Sequence, residues 1–155
     1  MRQKIKINEQ QLNTIVAESI RKILKEEKTI DNDIVSLISY LHNIQKPLRE
    51  IHWNTNEYSL HMVTDETLEK VLEWEDSLGE TFISNSNYNL IINDDTIDTP
   101  KNPKKDYEKL MLTLSDTASN LKAQINDNKK YDNINSILDD ILEKTHQLLY
   151  KSRLA

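Results

Sequence analysis

The sequence predicts an all-α fold: a bundle of four long helices preceded by an additional amino-terminal amphipathic helix. Three observations carry this reading. Apolar residues recur every three or four positions through five separate stretches, which is the period of a helix with one buried face. The composition, with 1 Gly, 3 Pro, no Cys and 30% charged residues, is that of a helical protein with a heavily solvated surface. A length of 155 residues with 37% hydrophobic content suffices for one domain with a real core and is short for two.

The first stretch, residues 8–27, sets Leu12, Ile15, Val16, Ile20, Ile23 and Leu24 at helical spacing behind Asn8 as a candidate cap. Lys28-Thr29 is expected to separate it from the second helix, giving an extension over 1–28 and a bundle over 29–155. The extension either covers the bundle surface or docks on a protein partner or shell. The second helix is expected after Asp31 or Asp33, carrying Ile34, Leu37, Ile38, Leu41, Ile44, Leu48 and Ile51 to about Asn54. Pro47 lies inside this pattern and should kink or break the helix, since its ring removes a donor and clashes with the preceding turn.

The third helix is expected from about Glu57 to Phe82, with Leu60, Leu68, Val71, Leu72, Leu78 and Phe82 inward. From Ser84 to Asn102 the chain turns rich in Asn, Asp and Ser and reaches Pro100 and Pro103, which reads as a long crossover connection with room for a short helical turn. Pro103 is placed to open a fourth helix to about Asn126, with Tyr107, Leu110, Met111, Leu114, Leu121 and Ile125 on its apolar face. After a polar turn from Asp127 to Lys130, the last helix starts near Tyr131 or Asp132 and points Ile134, Ile137, Leu138, Ile141, Leu142, Leu148 and Leu149 inward.

The formal net charge is −6, from 20 Lys and Arg against 26 Asp and Glu, so the molecule as a whole repels nucleic acid and attracts cations. DNA binding is not favoured, and the local basic groups Arg2, Lys4, Lys6 and Lys101, Lys104, Lys105 read as solvated ends. Absence of Cys excludes disulfides, thiolate metal sites, iron–sulfur clusters and thiol nucleophiles, so any metal is held by nitrogen and oxygen donors. A single Gly excludes a Gly-rich phosphate loop. No apolar run approaches the ~20 residues that span a bilayer, and Met1 to Ile7 leads into no signal-peptide apolar core. A soluble, cytoplasmic protein is expected.

The chemistry concentrates in the third helix. His61 and Asp65 are one turn apart, as are Asp76 and Glu80, and His52-Trp53 lies just upstream. At ~100° per residue His61, Asp65 and Asp76 fall within roughly 60° of one another, with Glu80 at the edge of the stripe. Eleven residues between Asp65 and Asp76, at ~1.5 Å each, separate the two pairs by about 16 Å, so one straight helix cannot bring them to one ion. Two copies packed antiparallel across a two-fold axis can, with His61 and Asp65 of one facing Asp76 and Glu80 of the other.

These residues, in order and in chemistry, resemble the miniferritins, or Dps-like proteins, of the ferritin-like superfamily. The resemblance rests on Ile51-His52-Trp53-Asn54, on Leu60-His61 with Asp65 four residues on, on Asp76-Ser77-Leu78-Gly79-Glu80, and on a final helix with His146 and Arg153. It covers roughly residues 33–154 and departs from the family in an interval from His52 to His61 about three residues shorter than usual. It also departs in an amino-terminal helix where the family carries a flexible basic tail.

The resemblance implies a ferritin-like four-helix bundle and a dodecamer with ferroxidase sites between two subunits. The metal ligands and catalytic residues would be His52, His61 and Asp65 of one chain with Asp76 and Glu80 of its neighbour. Fe(II) would be oxidised there by hydrogen peroxide or dioxygen and stored as ferric mineral, protecting against oxidative damage; Zn or Mn are other occupants. Trp53 would match the family's radical-intercepting aromatic. Carboxylate oxygen and imidazole donors suit iron. Set against this, most carboxylates in a chain so charged belong to solvated faces, and Glu143-x2-His146 offers a rival di-iron spacing that lacks its second copy. His42 reads as a helix-surface or core-edge histidine, and Glu69 and Glu73 as solvated neighbours of the stripe. The alternative function is a catalytically inactive ferritin-like structural or cargo protein docked through its amino-terminal helix.

Overall fold

A computed structural model describes residues 7–154, so the basic residues Arg2, Lys4 and Lys6 lie outside the described residues. Helix α1 spans Glu9–Asn43 and opens with a capping box. The Gln11 N–H donates to Asn8 Oδ1 at 2.7 Å and the Asn8 N–H donates to Gln11 Oε1 at 3.0 Å, satisfying two amide donors that a helix start leaves without partners. The expected break at Lys28-Thr29 does not form. Neither residue stops a helix, and the Thr29 hydroxyl donates to Lys25 O at 3.0 Å, inside the helix. Instead of a separate first helix, one rod of 35 residues runs from the extension into the bundle.

The proline has the effect its chemistry dictates. Lacking an N–H, Pro47 leaves Asn43 O without its helical donor, and α1 ends at Asn43. Ile44 stays in the right-handed region (φ −75, ψ −13) and its carbonyl accepts from the Leu48 N–H at 3.0 Å, so α2, Gln45–Asn54, resumes after a single residue. Three residues then lead to α3, Tyr58–Asn85.

The segment from Ser86 to Asn102 holds no helix, so the short turn for which the sequence left room is not formed. It is fastened to α1 by Asn43 Nδ2, which donates to Asn93 O at 2.7 Å, and by the Asn93 N–H, which donates to Ser39 Oγ at 2.9 Å. Helix α4, Pro103–Ile125, begins with Pro at its first turn behind the Asn102 cap. Asp127 turns the chain at φ 65, a 3-10 turn comes next at Lys129–Tyr131, and α5 runs Asp132–Ser152.

The interrupted rod α1/α2 packs on α3 and α4, and α5 packs on α3 and α4, which closes a four-sided helical bundle. Ends are located by side-chain contacts. Lys104 of α4 reaches Glu57 before α3 at 3.5 Å, while Asn85 at the end of α3 donates to Lys130 O between α4 and α5 at 3.3 Å. The 86–102 connection therefore crosses the length of the bundle. The core runs along the helix interiors, with Ile34, Leu37, Ile38, Leu41, Ile44, Leu48 and Ile51 all buried on the first rod. Leu72, expected inward, is 46% exposed: it lies on the outer stripe of α3 beside Asp65 and Asp76. No described helix is long and apolar enough to cross a membrane.

Candidate metal centre

Helix α2 ends in His52, Trp53 and Asn54, and the turn to α3 is only Thr55 to Glu57. That short interval brings His52 onto His61. The rings stack with centroids 3.9 Å apart and 24° between their planes. Each is tied to the other's backbone: His52 Nδ1 lies 3.0 Å from His61 O, and His61 Nδ1 lies 3.0 Å from His52 O. A carbonyl oxygen only accepts, so both Nδ1 atoms carry the hydrogen and donate. When neutral, each ring then holds its lone pair on Nε2, the state in which imidazole ligates a metal while the opposite nitrogen is held by a carbonyl.

Beneath the rings sits Thr64, a buried residue whose hydroxyl donates toward Leu60 O at 2.8 Å and His61 O at 2.9 Å, with His52 Nδ1 3.4 Å away. Composition and spacing did not single out Thr64 or the reciprocal lock. The available signal was a Thr three residues after a His on one helix, a pattern too common to stand out.

Asp65 comes one turn after His61, and both side chains are exposed. Asp76 and Glu80 lie farther along the same face, also exposed. Of the other acids of α3, Glu66 takes Lys151 at 2.8 Å, Glu73 takes Lys70 at 2.7 Å, and Glu75 takes His42 at 2.7 Å together with Gln45, while Glu69, exposed on the same stripe, takes no partner among the described residues. Among the described residues, the carboxylates of Asp65, Asp76 and Glu80 accept no hydrogen bond and enter no ion pair. Their stripe is interleaved with apolar side chains left in solvent, namely Tyr58, Met62, Leu72 and Ile83, and Trp53 next to the stack is 72% exposed.

Within one chain these groups do not converge. Among the described residues no set of three His, Asp or Glu side chains is close enough to hold an ion. The structure brings His52 to His61 and leaves Asp76 and Glu80 apart from them, as the helical rise requires. His146 on α5 is exposed, and Glu143 there accepts from Gln147 Nε2 at 3.2 Å, so the rival spacing does not form a site. Gly79 has ordinary helical geometry. Its missing Cβ makes room for Leu90 of the crossover, whose Cδ2 would be 3.3 Å away.

No curated protein and no solved structure matches the chain. Residues 52–152 match the model of a family of unknown function, DUF5856, a span that begins at His52, contains His61, Asp65, Asp76 and Glu80, and leaves α1 outside. The chain therefore belongs to that family of unknown function.

Proposed function

We propose that this protein is a Dps-like miniferritin of the ferritin-like superfamily, oxidising Fe(II) at a site shared by two subunits. The observation that carries the reading is the locked His52–His61 pair standing beside unpartnered Asp65, on the same exposed stripe as unpartnered Asp76 and Glu80. The chain order supports a ferritin-like bundle as well: a helical hairpin, one long crossover and a second hairpin.

A two-fold axis near residues 70 and 71, relating two antiparallel α3 helices, sets Asp65 across from Asp76 and His61 across from Glu80 of the other copy. The same axis sets Tyr58 across from Ile83, so the exposed apolar side chains close over the ends of the seam. Each pair of chains then carries two equivalent sites of imidazole and carboxylate donors, with open positions for peroxide or dioxygen. Fe(II) is the substrate. Two ferrous ions give one electron each to hydrogen peroxide, the products are ferric oxyhydroxide and protons, and the exposed acids attract further iron. Removing Fe(II) and peroxide together limits hydroxyl-radical formation. A dodecameric shell is the assembly this reading entails.

The test is anaerobic Fe(II) loading followed by peroxide, comparing wild type with an Asp76→Ala/Glu80→Ala variant of equal assembly mass. Fast oxidation lost in the variant supports the proposal; equal, slow oxidation in both rejects it in favour of a catalytically silent bundle, and equal, fast oxidation in both rejects the site at Asp76 and Glu80.

A further inference from the structure

Helix α1 continues its core-facing stripe well past the bundle. Leu12, Val16, Ile20 and Ile23 each precede by 18 residues, which is five turns, the buried Ile30, Ile34, Ile38 and Leu41. The face that fills the core below residue 30 therefore runs on, in register, as an uncovered apolar stripe above it. Leu12, Ile15, Val16, Ile20, Ile23 and Leu24 are 48–60% exposed. The arm leaves the bundle in a fixed direction. Tyr131 OH donates to Asp31 Oδ1 at 2.9 Å, and Lys130 pairs with Glu27 at 3.2 Å, where α1 emerges.

From this geometry we propose that the arm is a self-association element, its stripe covered by the same stripe of a second copy running antiparallel. Three features select that occupant. Positions on and bordering the stripe are the neutral Asn13, Ala17 and Ser19, Lys22 and Glu26, which are 4.0 Å apart and offset each other, Glu27, which pairs with Lys130, and the exposed Glu9 at the helix start. Glu9 is the one uncompensated charge among these, and an antiparallel pairing about the middle of the stripe keeps it roughly 30 Å from its copy. Six half-exposed aliphatic side chains present on the order of 500 Å² per copy, so a pair buries about 1,000 Å², the lower bound of a specific interface. Orientation is set by sterics. The stripe faces the side occupied by α3 and the α4–α5 turn, so a parallel partner would drive its own bundle into this one, whereas an antiparallel partner places the two bundles at opposite ends of the paired arms. The arm contact is independent of the α3 seam and would join α3-paired units to one another.

Because the chain has no Cys, single cysteines report the contact in the full-length protein. A two-fold axis midway between Val16 and Ile23 puts Ser19 next to its own copy, and leaves Asn13 roughly 20 Å from its copy. The expected result is that S19C oxidises to a disulfide-linked pair and N13C does not, and that adding V16E, I20E and I23E to S19C abolishes the link and lowers the solution mass while helix content by circular dichroism stays unchanged. Cross-linking of N13C as strongly as S19C would overturn the antiparallel arrangement. A purified chain whose S19C stays reduced, or whose mass is indifferent to the three glutamates, would overturn self-association and leave the stripe to a different protein.

Discussion

Alkaline pH is a direct probe of how the bundle is tied together, because its three internal tyrosines each bridge separate elements. Tyr40 of α1 donates to Leu110 O of α4 at 2.8 Å, Tyr107 of α4 shares a 2.9 Å hydrogen bond with Thr67 of α3, and Tyr131 donates to Asp31 of α1. Burial pushes the Tyr40 phenol up from 10.0 to about 12, with the Thr113 hydroxyl opposing. Burial also pushes Tyr107 and Tyr131 upward, the second with help from Asp31. A raised phenol pKa means the folded chain keeps a proton that the unfolded chain sheds, so the stabilisation is complete below pH 10 and is lost as pH rises through the folded value. Each such tyrosine removes about 1.4 kcal/mol per pH unit above 10, and three together about 4 kcal/mol per unit. By pH 12 the loss reaches about 8 kcal/mol, which exceeds the lower part of a typical domain stability of roughly 5–15 kcal/mol, so a chain in that lower part is expected to unfold before about pH 12. Tyr58, Tyr88 and Tyr150 lie on the surface and bridge no elements of the bundle. Tyrosinate absorbance tracked together with far-ultraviolet circular dichroism should show Tyr40, Tyr107 and Tyr131 ionising only as helix is lost. Five or six tyrosinates in a fully helical protein would refute the buried, bridging placement.

Other perturbations have equally definite outcomes. Trp74 is buried and its indole N–H donates to Asp140 Oδ2 at 2.7 Å; Trp74→Phe, which removes that bond and leaves a void, should cost about 2–4 kcal/mol in urea unfolding, more than Asp140→Asn. Gly79→Ala gains about 1 kcal/mol of helix propensity and gives back part of it by pushing Leu90, a partly exposed side chain on the crossover. It should be neutral or stabilising by up to about 0.5 kcal/mol, rising to about 1 kcal/mol in a Leu90→Ala background, and a loss in that background would show that backbone rather than Leu90 fills the space. His52→Ala and His61→Ala each break the same stack, so calorimetric Fe(II) affinity under anaerobic conditions should fall ~10–100-fold in either, and by less than the product of the two in the double variant.

Much of the fold is legible in the sequence because the core repeats at helical spacing and Pro103 and Asn102 mark a helix start by known chemistry. The failures are equally physical. Lys28-Thr29 looks like a boundary only because it is polar; with no Gly or Pro to stop it, the helix propagates through. Leu72 fits the core period but lies on the exposed stripe with Asp65, and hydrophobicity alone does not tell a core residue from an exposed one. For the site, the 4, 11, 4 spacing of His61, Asp65, Asp76 and Glu80 was readable, and so was the impossibility of joining the pairs within one chain. The contact of His52 with His61 was not, since it depends on the three-residue turn that sets α2 against α3 and on carbonyls that no side-chain pattern reveals.

The central claim is that one site is built by two chains, and subunit complementation measures that. A His61→Ala/Asp65→Ala chain and an Asp76→Ala/Glu80→Ala chain are each expected to be inactive alone in peroxide-driven Fe(II) oxidation. Unfolded together and refolded as a mixture, half of the random pairs contain one chain of each kind, and in each such pair one of two sites is intact, so activity should return to about a quarter of wild type. A mixture as inactive as its components, with mixed assemblies confirmed by mass, would contradict a site shared between subunits.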